Sequence, residues 1–329
     1  MRKAVRIFEV AREAGVSPST VSKVLNGTQR MSAVTEARVW KAVSKLGYQA
    51  NLHAQILSTG RSRALGIVIL DILNPHFTAL VKGAAQVAAE RGYTVLLADA
   101  EENPQREQEL IQSLRARTDG LILAGSRLTD EEIAALHSPS QPIVTVGRRI
   151  TGVPSVTVDE YTAALQLTAH LIAQRRTHIV YLAGPPFWVN QERERGYRDA
   201  IQQAGLTPAV LPLTTPDVPG GEQASALLWT LHPFPDAVLC YNDLVAIGLM
   251  AALKTLGIKV PLEVAVAAFG NHPLATHLSP SLTHMEIPSR RLGELATGLL
   301  IDSLEHPEEG ARPITQYAVL RPRQSSGGG

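Results

Sequence analysis

Between positions 17 and 23 the chain reads Ser-Pro-Ser-Thr-Val-Ser-Lys, which puts four hydroxyls and an ammonium within seven residues. Such a cluster suits hydrogen bonding to phosphate oxygens and base edges. Lys23 can donate to O6 or N7 of guanine, and the hydroxyls of Ser19, Thr20 and Ser22 can reach bases or phosphates. Any one of these hydroxyls could instead cap a helix or face water. The residue patterns of common catalysts are missing. There is no P-loop spacing, no zinc-type His/Cys cluster and no nucleophile elbow, and the ten histidines are scattered. Gly184-Pro185-Pro186 makes a poor phosphate cradle because prolines carry no N–H. The expectation is a binding protein, not an enzyme, with no cofactor and no metal.

Charge is distributed unevenly. The net charge is +1, yet residues 1–65 hold eleven Lys or Arg against three Glu, a net of +8. The remainder holds 20 basic and 27 acidic residues, a net of −7. A basic head on an acidic body points to a polyanionic partner for the head alone. Hydrophobic residues make up 45% and charged residues 19% of the chain, which fits a folded domain with a core. Cys240 is the single cysteine, so no intramolecular disulfide can form, as suits a reducing compartment. The apolar run Ala64–Leu70 stops at Asp71, far short of the ~20 residues a membrane span needs. No apolar signal-peptide core follows the basic N-terminus. A cytoplasmic protein without a membrane partner is expected.

Three short helices must position the head cluster. Val5, Phe8 and Val10–Ala11 recur at helical spacing until Gly15, which can take a left-handed turn. Ser17 is a good N-cap and Pro18 a good first helical residue, so a second helix runs through Val21, Val24 and Leu25 to the stop Asn26-Gly27. A third spans about Ala33 to Lys45, with Val34, Ala37, Val39, Val43 and Leu46 facing inward and Gly47 closing it. Two short helices joined by a glycine turn form a helix-turn-helix pattern. Gln49–Leu57 reads as one more short helix, followed by a small, basic linker over residues 58–63.

From residue 65 strand-like and helix-like segments alternate. Expected strands are Leu65–Leu70, Thr94–Ala98, Gly120–Ala124, Ile143–Val146, His178–Ala183, Ala237–Tyr241 and Val264–Phe269. Expected helices are Phe77–Arg91, Glu107–Arg115, Tyr161–Gln174, Glu192–Gln203, Ser225–Leu231 and Leu244–Leu256. Uninterrupted apolar strands belong to parallel sheets covered on both faces. About 260 such residues exceed one sheet, so two wound lobes are expected.

The head, Val10-Ala11-Arg12-Glu13-Ala14-Gly15-Val16-Ser17-Pro18-Ser19-Thr20-Val21-Ser22-Lys23-Val24-Leu25-Asn26-Gly27, closely resembles the signature of the LacI/GalR family of transcriptional regulators. Similarity continues at Leu46-Gly47-Tyr48, Asn51 to Leu57, Asn74-Pro75, Asp119 to Leu123, Arg193 to Tyr197, Tyr241-Asn242-Asp243, Pro280 to Thr283 and Arg323-Gln324-Ser325. The resemblance implies an N-terminal all-α helix-turn-helix head (1–48), a hinge helix and linker (49–64) and an α/β core (65–326). The core would be two doubly wound parallel-sheet lobes of periplasmic-binding-protein type, followed by a mobile tail (327–329). It also implies a homodimer or tetramer on a palindromic double-stranded DNA operator. A small-molecule effector (sugar, sugar acid or phosphorylated sugar) would bind between the lobes, and repression of carbohydrate or related metabolic genes is the usual output.

By the same resemblance Ser17, Pro18, Ser19, Thr20, Ser22, Lys23 and Asn26 belong to the recognition surface. Pro18 and Ser19 are shorter than the residues many relatives carry there, so few side chains read bases directly. Asn51, Ala54 and Leu57 match the hinge helix. Leu57 stands where an apolar wedge enters the minor groove at the operator centre, unless it packs on the core. The implied effector residues are Phe77, Trp188, Arg193, Asn242 and Asn271. Arg193 would bind ligand oxygens by its guanidinium fork, or else pair with Glu192 or Glu194 on the surface. Trp188 is read in a loop, as an apolar wall. Phe77 is either a wall or core, and Asp243 is expected to cap the helix after it. Gly270 and Gly147 stand where many relatives carry an aspartate. With Arg193 and His272 nearby, that loss of acceptors favours an anionic ligand. A solute-binding transport protein would share the core, but would need an export signal and no basic head.

Overall fold

A computed structural model of the 329-residue chain describes residues 5–26, 31–48, 61–310 and 312–327. Two compact units are present, Met1–Ser62 and Arg63–Gly329. The first holds α1 (Ile7–Ala14), α2 (Pro18–Asn26) and α3 (Ala33–Leu46). Their small core is Val10, Ala11, Ala14, Val21, Val24, Val39 and Ala42. Gly15 and Gly47 end α1 and α3 in the left-handed conformation, at φ +64° and +61°. Phe8 of the apolar repeat and Val34 of the expected inner face are outside, at 68% and 70% exposed. At about 100° per residue, Phe8 lies roughly 200° round the helix from Val10 and cannot share its stripe. Ala37 is also exposed, and Ala42 takes the inner position.

The second unit begins with β1 (Ala64–Ile69), α4 (Pro75–Glu90), β2 (Thr94–Asp99), α5 (Pro104–Arg115), β3 (Gly120–Ala124), α6 (Asp130–Leu136), β4 (Ile143–Val146) and β5 (Ser155–Val158). The chain then crosses to a second lobe: α7 (Glu160–Ala173), β6 (Ile179–Ala183), α8 (Trp188–Gln203), β7 (Ala209–Pro212), α9 (Val218–Leu228), β8 (Ala237–Cys240), α10 (Asp243–Thr255), β9 (Ala265–Gly270) and β10 (Thr283–Glu286). It returns to the first lobe as α11 (Ser289–Glu305) and β11 (Ile314–Gln316), and to the second as β12 (Val319–Arg321). Three crossings therefore join the lobes.

The sheets run β11-β5-β4-β3-β1-β2 and β12-β10-β9-β8-β6-β7. Every pairing is parallel except β12 on β10. β3, β4, β5, β6 and β8 are buried along their whole length, because helices cover both faces. In both lobes the strand order reverses beside the first strand, so the strand C-termini open onto a crevice where such sheets bind ligands. α4 and α11 approach closely in the first lobe. A Cβ on Gly293 would lie 1.9 Å from the Leu80 carbonyl oxygen, and one on Gly83 2.1 Å from that of Arg290.

Seven helices and strands lie outside the expected set: α6, β5, β7, β10, α11, β11 and β12. β5 and β10 carry polar residues that are nonetheless buried: Ser155, Thr157, Thr283 and His284. Thr283 is satisfied by the C-terminal residues, its Oγ1 bonding the Arg323 carbonyl (3.0 Å) and Ser326 Oγ (2.7 Å). Among the described residues no helix is long and apolar enough to cross a membrane.

Candidate functional site

The head cluster is built around a cap. Ser17 Oγ accepts the Thr20 N–H at 3.1 Å and lies 2.7 Å from Ser19 Oγ and 2.9 Å from Thr20 Oγ1. Its hydroxyl is thereby engaged in starting α2, with Pro18 as the first helical residue. Ser19 and Lys23 are exposed, one turn apart; Pro18, Thr20 and Ser22 are half-buried. Lys23 forms no ion pair with the described residues, whereas Lys45 pairs with Glu13 at 2.6 Å and ties α3 to α1. Asn26 ends α2, and its side chain lies outside the described residues, as do Asn51, Ala54 and Leu57.

The second unit holds a cleft between its lobes, open to solvent. Phe77, Trp188, Arg193, Asn242 and Asn271 all line it. Phe77 is both wall and core: it is buried with the first-lobe cluster and meets the His76 ring edge-on at 5.0 Å. Trp188 is not in a loop. It is the first residue of α8, which starts four residues before the expected Glu192 after Phe187 as N-cap.

Arg193 is buried on the inner face of α8 and pairs with neither adjacent glutamate. Glu192 and Glu194 bind Arg195 and Arg198 on the outer face. Arg193 Nε instead donates to Glu160 Oε2 (2.8 Å) and Nη1 to the Tyr241 carbonyl (2.6 Å), with the guanidinium 4.3 Å over the Phe269 ring. Burial alone would lower its pKa; the Glu160 carboxylate, with Tyr241 and Tyr181 beside it, outweighs this and the net direction is upward. Asn242, not Asp243, caps α10. Its Oδ1 accepts the Val245 N–H (2.9 Å) and its Nδ2 donates to the Pro216 carbonyl (2.7 Å), which leaves one N–H and one lone pair. Asn271 reaches Glu286 Oε1 at 3.4 Å. His272 Nδ1 accepts the Leu274 N–H, closing its own turn.

Several cleft residues lay beyond the sequence reading. Arg127 follows β3 and Arg148 follows β4, so the position at a strand C-terminus was the available signal. Arg127 donates to Glu102 from Nε (2.8 Å) and from Nη2, and stacks 4.3 Å over Phe187 of the other lobe. Its backbone N–H is held by Glu107, a buried carboxylate whose pKa is raised by desolvation, against the hydrogen bonds it accepts. Arg148 pairs with Asp130 at 3.1 Å. His76 bonds Ser289 Oγ at 2.8 Å; burial, and next the Arg193 charge, push its pKa down to about 4. Three guanidiniums (Arg127, Arg148, Arg193) and three carboxylates (Glu102, Glu160, Asp243) thus line the cleft in balance.

Comparison with known proteins fits this geometry. Residues 6–51 match the bacterial regulatory proteins of the lacI family, and residues 168–326 a periplasmic binding protein-like domain. The regulator GalS of Salmonella typhimurium is 33% identical over 303 residues, covering 90% of this chain and 89% of that protein. The chain belongs to the LacI family. The ribose operon repressor of Halalkalibacterium halodurans is 31% identical over 94% of this chain and 92% of its own. The lac repressor dimer bound to operator and the anti-inducer ONPF shares the fold, with a TM-score of 0.88 at 23% identity over 98% and 99% of the two chains. The regulator CelR in its cellobiose complex gives 0.72 at 26% identity over 98% and 99%. This LacI-family member is a DNA-binding transcriptional regulator, with a helix-turn-helix head and two parallel-sheet lobes that form an effector-binding core.

Proposed function

We propose that this regulator is a repressor that grips a palindromic operator as a homodimer and responds to a neutral, hydroxyl-rich effector held between its lobes. The observation that carries the effector class is the charge balance of the cleft. Arg127, Arg148 and Arg193 each already hold a carboxylate, so no unpaired cation waits for a phosphate or an acid group. This reverses the preference for an anionic ligand drawn from Gly147 and Gly270. The names of relatives agree: one is a ribose operon repressor, and solved relatives hold cellobiose and ribose. A ligand that prefers one lobe arrangement shifts the dimer between operator-competent and incompetent states. In this reading residues 1–48 are the DNA-binding head, 49–64 the hinge, 65–326 the core and 327–329 the tail, and the protein works in the cytoplasm beside its DNA.

Ser19 and Lys23 face the major groove in this reading, and Pro18, Thr20, Ser22 and Asn26 support them. Asn51, Ala54 and Leu57 form the hinge, with Leu57 as wedge. The test begins with selection of duplexes from a random library by the full chain, followed by gel shift against a sugar panel. A palindrome should emerge, its binding should fall steeply with salt, and a neutral sugar should shift it. Leu57→Ala should weaken operator binding at least tenfold; unchanged affinity would remove the wedge from the account.

A further inference from the structure

We infer that Asp243 is the carboxylate that reads ligand hydroxyls in the cleft, and that Gly270 lacks a side chain so that this carboxylate has room. The inference rests on the cleft being the effector site. Of the three carboxylates lining the cleft, Glu102 and Glu160 are each held by a guanidinium, and Asp243 by none. Asp243 is 4% exposed at the start of α10, beyond the C-terminus of β8. Its Oδ2 accepts the His272 N–H at 2.6 Å, and its Oδ1 lies 3.3 Å from His284 Nδ1. His284 is 1% exposed on β10, and its Nε2 has no partner among the described residues. Among the described residues the imidazole therefore bonds only this carboxylate, which fixes its rotamer.

The neighbouring backbone is shaped round the same group. A Cβ on Gly270 would fall 2.3 Å from Asp243 Oδ2 and 2.6 Å from its Cγ, so any side chain there would expel the carboxylate. Arg193, bonded to the Tyr241 carbonyl two residues before Asp243, supplies a guanidinium on the same wall. A carboxylate that accepts and a guanidinium that donates form a matched pair for a ligand bearing several hydroxyls. A carboxylate that no guanidinium holds disfavours a phosphate or an acid beside it, so the ligand class is a neutral sugar.

Calorimetry on the full chain tests this with a panel of neutral pentoses, hexoses and disaccharides, ribose and cellobiose among them, beside their phosphates and acids. Wild-type protein should bind a neutral member. Asp243→Asn, which keeps shape and loses charge, should bind it roughly 10- to 100-fold more weakly. Asp243→Ala, which removes the polar group altogether, should bind it at least as weakly as Asp243→Asn. Thermal unfolding of each variant separates lost binding from lost fold. The inference is overturned if D243N binds like wild type, if only phosphates or acids bind, or if no neutral sugar binds. Gel shift with the selected operator separates the two readings. Sugar binding that depends on Asp243 but leaves DNA retention unchanged refutes effector control and keeps the Asp243 assignment; control by a neutral sugar that D243N preserves does the reverse.

Discussion

The two lobes share one strand order but hold their cleft charges differently. In the first lobe Arg127 and Arg148 pair with Glu102 and Asp130, whose side chains are 35% and 55% exposed. In the second, Arg193–Glu160 and His284–Asp243 are almost wholly buried on both sides. An exposed carboxylate can be replaced by water; a buried one cannot. The second lobe is therefore the more rigid reading wall, and the first a lip whose carboxylates face water while its arginines, 7% and 16% exposed, stay buried. Contact between them includes the Arg127 guanidinium over Phe187, one group from each lobe.

Removing single partners should separate the walls. Glu160→Ala strands the Arg193 charge in the interior and should lower unfolding free energy by about 3–5 kcal/mol in urea titrations. A loss under about 1 kcal/mol would mean that water enters the second wall as freely as the first.

His76 gives the next largest effect, through pH. Its folded pKa, about 4, lies below the ordinary 6.5, so the native state binds fewer protons than the unfolded chain between those values. Stability should fall as pH drops through that window, by no more than about 3 kcal/mol from this residue. His76→Gln should flatten the dependence relative to wild type. Parallel pH curves for the two proteins would show that this face of the first lobe is already open to water.

The smallest effect belongs to Asp130→Ala, which removes a carboxylate that is 55% exposed from an arginine that is 16% exposed and should shift stability by about 1 kcal/mol in the same titration. A loss comparable to that of Glu160→Ala would erase the distinction between the lobes.

Legibility in the sequence followed the range of the interactions. Ser17, Gly15 and Gly47 act on backbone within a few residues, so the head's caps and turns could be read directly. β3, β6 and β8 were readable because burial on both faces leaves only apolar residues. β10 was not, because His284 and Thr283 are made tolerable by Asp243 and Ser325–Ser326, 41 to 43 residues away. Arg193 shows the same limit. Its sequence neighbours offered two glutamates, but the helix turns them outward, and the true partner is 33 residues back. The cap one residue early at Asn242 likewise freed Asp243 for the cleft, a shift too small for composition to signal.

The three crossings between the lobes also govern how the molecule is made. The first lobe's sheet is incomplete until β11, at residues 314–316, is available, and the second until β12 and the buried Ser325 and Ser326 arrive. On a ribosome, the basic head emerges with all three of its helices long before either lobe can close. Each nascent chain can therefore present a finished DNA-seeking surface on an unfinished sensor, and the two lobes must mature almost together at the end of synthesis.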